Sequence, residues 1–236
     1  MQCVREDGKP SPEIYQAELQ DDGLYRMECS HGHRTVTCLQ EQKFEVLYDI
    51  GANAIVDCYY REAVSSFASC LERFYEFYVS IIADKHQVNE EIFQQCWKRI
   101  VNQSERQLGA FIFTYMIEEG KSPPLLSEKS VAFRNSVMHK GKIPTRDQAI
   151  AFGKEVLGLV SPLLRHLKVN YSEQVGRAVV RHVMKTRQAT SGDPNIQFFT
   201  TATTISIARG NTEADPTLED TLTRLQQQRA RGRYYL

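Results

Sequence analysis

The feature that leaves this chain least freedom is the spacing of its apolar side chains between about residues 46 and 187. In "AIVDCYYREAVSSFASCLERFYEFYVSIIADK", Ala63, Phe67, Cys70, Leu71, Phe74, Phe77, Tyr78 and Ile81 recur three and four positions apart. That rhythm puts them on one side of an α-helix and predicts a long amphipathic helix with a wide buried face. "NEEIFQQCWKRIVNQSERQLGAFIFTYMIEEG" repeats it through Ile92, Cys96, Ile100, Leu108 and Phe111, with Glu90 and Glu91 near the start and Gly120 past the end. Acids at the beginning and a glycine stop complement the helix dipole and the left-handed exit.

"KSPPLLSEKS" then interrupts the pattern. Ser127 suits an N-cap and Glu128 the first turn, so a third helix is expected to run to about Lys140. Gly141 supplies a left-handed stop and Pro144 prevents continuation. "TRDQAIAFGKEVLGLVSPLLRHLKVN" and "SEQVGRAVVRHVMKTRQ" add helix that should kink or split near Pro162 and Tyr171. Antiparallel helices joined by short links make an up-and-down bundle, assigned to residues 46–190.

The flanks have a different texture. Residues 1–45 carry alternating stretches such as "GLYRMEC" and "RTVTCLQ", which read as small antiparallel strands. In residues 191–236, the turn cluster "SGDPN" precedes "IQFFTTATTISIA", one strand or two, and then a short basic helix and tail. A lone strand leaves its backbone groups unpaired, so the carboxyl-terminal strand is expected to join the amino-terminal ones. The expected fold is mainly α: a helical bundle with a small antiparallel sheet built from the two ends.

With Lys and Arg balancing Asp and Glu at 29 each, total charge directs the chain toward no polyanion or membrane. Locally, Arg177, Arg181, Lys185 and Arg187 face one acid, Glu173, between residues 171 and 190. Arg224, Arg229, Arg231 and Arg233 face none from residue 221 onward. Such stretches attract an anionic partner or simply form a solvated helix face. "MQCVREDGKP" contains no apolar leader, and no run suggests a membrane span, so a cytoplasmic protein with reduced cysteines is expected. Cys58, Cys70 and Cys96 fall in helical segments and are expected in the core.

Two clusters bear chemistry. "ECSHGHRTVTC" holds Cys29, His31, His33 and Cys38, with Cys3 upstream. Its "CSHGH" part looks like one knuckle of a zinc ribbon. A structural zinc held by Cys3, Cys29, Cys38 and one of His31 or His33, with His33 assigned, is one reading, and an unmetallated sheet the other, because no second Cys-x-x-Cys knuckle is present. No catalytic zinc is expected.

The second is "FRNSVMHKGK", residues 133–142. Arg, four residues, then His occurs three times in the chain, at Arg26–His31, Arg134–His139 and Arg177–His182, so spacing alone decides nothing. Only Arg134 is followed by a polar amide, Asn135, four residues from His139 and able to hydrogen-bond it on a helix. Arg134 lies about 140° around the axis from His139, within reach of its long side chain. The helix carboxyl end favours an imidazolium, although capping preferences also place Arg and His there.

"RNSVMH" near the end of a third helix resembles the HEPN superfamily, whose signature is Arg, a polar residue, three more residues and His. The resemblance covers roughly residues 46–187 and is helped by the long first helix, "YYREAVSSFASCLERFYEFY". It implies a metal-independent endoribonuclease, a hydrolase-class enzyme of toxin or antiviral-defence type. The signature segments of a homodimer would face each other in a composite site. It assigns Arg134, Asn135 and His139 as catalytic residues, with Lys140 and Lys142 as RNA-binding residues holding flanking phosphates. RNA is then the partner, with an antitoxin or regulatory protein as a further one. The alternative is a non-catalytic HEPN-like dimerisation module that binds a partner protein or nucleic acid.

Overall fold

The computed structural model describes residues 17–190 and 196–232, together with Gly8. Contacts divide the chain into two compact units: residues 42–176 with 202–236, and residues 1–41 with 177–201. The fold is mainly α, with a small three-stranded sheet.

The helical unit opens with α1 (Lys43–Val56), a helix the periodic reading merged with the next one. Asp57 ends it, Cys58 turns the chain at φ 66°, and α2 (Tyr60–Lys85) begins afresh. A non-glycine residue with positive φ carries no sequence signature, which is why the break was not expected there. The apolar residues from Ala63 to Ile81 named above are all buried, so the face itself is where the spacing puts it.

The second long segment also divides. α3 (Glu90–Trp97) is capped by Asn89, and α4 (Ser104–Glu119) stops at the left-handed Gly120. Trp97 is buried, but Ile92 and Cys96 are exposed, because α3 rests on its indole instead of the Ile92 stripe. Of the three helical cysteines, Cys70 alone is in the core; Cys58 stands in the open turn. α5 (Glu128–His139) has the expected Ser127 cap, whose hydroxyl accepts from the Ser130 amide, and Gly141 follows at φ 69°. α6 (Arg146–Asn170) passes unbroken through Pro162 and ends at Tyr171; α7 (Ser172–Ala189) follows.

Aromatic rings fix α1 and α4 against α2. Phe44 meets Phe74 at 5.4 Å, Tyr48 meets Phe67 at 4.9 Å, and Tyr75 stacks on Phe111 at 4.3 Å between centroids. Ring pairs of this kind add about 0.5–1.5 kcal/mol beyond their buried area. The last helix, α8 (Leu218–Ala230), buries Leu218, Leu222 and Leu225 and packs on α1.

Of "IQFFTTATTISIA", expected as one strand or two, Ile196–Phe199 is strand and the rest is loop. Within the helical unit, the Thr204 and Ile207 amides donate to the buried carboxylates Asp49 (3.1 Å) and Glu45 (2.8 Å) of α1. Side chains thereby satisfy the backbone that a ladder would otherwise have to pair. Arg224 donates to the Ala202 carbonyl, and Arg229 to Asp57 and Asn53, so two arginines of the basic tail tie the helix down.

In the other unit, β1 (Leu24–Glu28) and β2 (Arg34–Leu39) form an antiparallel hairpin, with Leu24 opposite Cys38 and Glu28 opposite Arg34. β3 (Ile196–Phe199) joins β2 as expected, but runs parallel to it, so the sheet is mixed and not wholly antiparallel. A parallel pair needs a long crossover, and the whole helical stretch of chain separates the two strands. Leu24, Val36 and Cys38 form the small core, with Ile196 and Phe198 against them.

Candidate active site on helix α5

α5 carries Arg134, Asn135 and His139 at its carboxyl-terminal end. Val137 is its buried residue, so the helix lies on the bundle along that line and turns the flanking polar residues outward. Arg134 and Asn135 are half-buried; His139 and Lys140 are exposed.

Arg134 makes two directed contacts. Its Nη2 donates to Glu72 Oε1 at 2.6 Å, and its Nη1 to Asn135 Oδ1 at 3.0 Å. The expected Asn135–His139 bond is not formed; the Asn135 amide oxygen accepts from the Arg134 guanidinium. Among the described residues, the His139 imidazole makes no hydrogen bond, so its nitrogens face solvent. Lys142 sits over the Phe133 ring, 5.0 Å from its centroid, and Lys140 caps the helix.

Arg134 and Asn135 line a cleft of about 250 Å³ between α2, α4, α5 and the segment before α5. Its other walls include Glu72 and Tyr75 from α2, Glu105 and Leu108 from α4, and Leu125 and Leu126. Two carboxylates, Glu72 and Glu105, share this cleft with one arginine. The Glu105 carboxyl is held below its ordinary range by its own backbone amide and the Ser104 hydroxyl, with Arg134 and His139 adding attraction. The Tyr75 hydroxyl is pushed well above its ordinary range, first by burial and then by Glu72, so it remains protonated.

Glu72, Tyr75 and Glu105 escaped the sequence reading. Glu72 meets Arg134 across 62 positions of chain, and no local pattern announces such a pair. A second polar cluster was also missed. His86 and His166 bond to Glu118 (2.9 Å) and Glu119 (2.8 Å) at the end of α4. Lys85 pairs with Glu118, and the Tyr171 hydroxyl donates to both carboxylates at 2.8 and 3.1 Å.

In the sheet unit, the hairpin places Cys29 and His33 together at its turn, where the Cys29 amide donates to the His33 carbonyl at 3.1 Å. Cys38 lies at the opposite end of the ladder, four positions beyond Arg34, and its thiol is in the small apolar core. At about 3.3 Å per residue, that is too far for one tetrahedral ion as the strands are paired. Cys3 lies outside the described residues. Among the described residues, no group of three or more His, Cys, Asp or Glu side chains stands close enough to hold a metal ion. No described helix is long and apolar enough to cross a membrane.

No family model matches the chain, and no curated protein or solved structure matches it.

Proposed function

We propose that this protein is a metal-independent endoribonuclease whose site is built from Arg134, Asn135 and His139. The observation that carries the reading is their placement: Arg134 and Asn135 on the wall of an open cleft, and an unbonded, exposed His139 on the next turn of the same helix.

Imidazole is the side chain best suited to taking up and giving back a proton at neutral pH. His139 takes the proton from a ribose 2′-hydroxyl; the 2′-oxygen bonds to phosphorus, and the P–O5′ bond breaks. The departing 5′-oxygen takes a proton from the imidazolium of a second copy. The products are a 2′,3′-cyclic phosphate and a 5′-hydroxyl. Arg134 keeps guanidinium N–H groups beyond the two it spends on Glu72 and Asn135, and these donate to the phosphate oxygens as charge builds. Lys140, at the helix end, meets a flanking phosphate; Lys142 does so less freely because its ammonium rests on Phe133.

A homodimer supplies the second imidazole, and a toxin or defence role with a restraining partner follows from such chemistry. The test is incubation of the pure protein with total RNA in EDTA, with mapping of the cut ends. Cyclic-phosphate ends that disappear with His139→Ala support the reading; intact RNA with wild type sinks it.

A second reading has its own observation. α4 exposes Phe113, Met116 and Ile117, three large apolar residues close together on one helix, which suits contact with a partner protein by a non-catalytic module.

A further inference from the structure

The cleft beside Arg134 has a polar and an apolar wall that the proton transfers above leave unused. We propose that it is a base-recognition subsite for guanine, placed to read the nucleotide next to the cleaved phosphate; the choice of a nucleotide as ligand rests on the ribonuclease reading.

Size comes first. About 250 Å³ lies under the range of roughly 300–1,000 Å³ that accommodates drug-sized ligands, and it suits a single flat ring system. Ala68, Leu71, Leu108, Leu125, Leu126 and Val131 offer apolar surface for the faces of such a ring. Single-stranded RNA is read in this way, with unstacked bases inserted between apolar groups and bonded along their pairing edges.

The polar groups then select among bases. Tyr75 is 5% exposed and lines the cleft, yet among the described residues its hydroxyl has no hydrogen-bond partner. A hydroxyl that opens onto the cleft from an otherwise buried side chain, unpaired by protein, is a position for a ligand to satisfy. Glu105 presents a carboxylate, and Glu72 has a second oxygen beyond the one that Arg134 holds. The Asn135 oxygen accepts from Arg134, which leaves its amide hydrogens to donate.

Guanine matches this set. Its ring N–H and exocyclic amine lie side by side and pair with one carboxylate, while its carbonyl oxygen accepts from Tyr75 or Asn135. Uracil presents carbonyls on both sides of its single N–H, and these meet carboxylates unfavourably. Adenine lacks the ring N–H, and cytosine places an acceptor nitrogen where guanine has a donor.

The experiment is equilibrium binding of the full-length protein to guanosine 3′-phosphate, uridine 3′-phosphate and inorganic phosphate. Guanosine phosphate should bind at least about tenfold tighter than either of the others, the size of effect expected for a lost bond to a charged group. Glu105→Gln, at an exposed position, and Tyr75→Phe should each remove most of that preference and leave phosphate binding unchanged. Leu108→Trp should block the nucleotide by filling the cleft. Equal affinity for guanosine and uridine phosphates, or preference untouched by Glu105→Gln, overturns the subsite. RNA cleavage measured alongside separates the two ideas. Cutting without guanosine preference removes the subsite alone; guanosine preference without cutting keeps the subsite and removes the ribonuclease.

Discussion

Arg134 and Glu72 join α5 to α2 through a 2.6 Å ion pair whose side chains are 17% and 25% exposed. One guanidinium therefore has two tasks, bracing the bundle and, in the proposed reaction, meeting phosphate. The tasks separate experimentally. Arg134→Ala should abolish RNA cleavage and lower stability by about 1–3 kcal/mol, because Glu72 is left partly buried without its partner. Adding Glu72→Gln should restore most of the stability, read by urea unfolding, and none of the cleavage. If the double variant cuts RNA as well as wild type does, Arg134 has no part in the chemistry.

His139 gives the opposite pattern. It is exposed and makes no hydrogen bond among the described residues, so His139→Ala should change unfolding free energy by less than about 0.5 kcal/mol. Cleavage should fall by roughly 10²–10⁴, the usual worth of a general acid or base. Single-turnover rates on a fluorescent oligoribonucleotide, beside a thermal melt of the same sample, measure both. A melt that shifts by many degrees would recast His139 as a structural residue.

Phe67 fits between two glycines. A Cβ at Gly51 or at Gly153 would stand 2.6 Å from its ring, and at Gly153 also 3.0 Å from Leu218. Gly153→Ala is therefore expected to destabilise the protein by about 1–3 kcal/mol through overpacking. Pairing it with Phe67→Leu should recover part of the loss, because the smaller side chain gives up the ring edge that clashes. Chemical unfolding of the single and double variants would measure the coupling, and strict additivity would show that the clash relaxes elsewhere.

What could be read in advance follows from how local each signal is. The buried face of α2 was legible because an apolar residue every third or fourth position is a property of the segment itself. The Ser127 cap and the Gly141 stop were legible for the same reason. The turn at Cys58 was not, since nothing in "VDCYY" distinguishes it from helix until packing forces a positive φ. The loop after β3 reads as strand in composition, and side chains distant in sequence, among them the carboxylates Asp49 and Glu45 more than 150 positions away, satisfy its backbone without a ladder. The candidate site divides similarly. Arg134, Asn135 and His139 share one helix and could be singled out together, whereas the cleft they border takes walls from α2 and α4 that only tertiary packing supplies.

Glu118 sets an acid limit on the bundle. Its side chain is only 4% exposed, and burial by itself raises the carboxyl. Bonds from Lys85, His86 and Tyr171 outweigh that and hold it down at about 2, against an ordinary 4.5. A folded-state value below the unfolded one means stabilisation that is complete above pH 4.5. It is lost progressively as pH falls from there toward 2. The shift corresponds to at most roughly 3 kcal/mol, with the solvent-facing ends of Lys85 and His86 reducing it. Glu118→Gln should lower stability at pH 7 by about 1–3 kcal/mol and flatten the decline between pH 4.5 and 2. Urea midpoints collected across that range for both proteins decide the matter: parallel curves would mean that the carboxylate contributes nothing to acid sensitivity and that other acids set it.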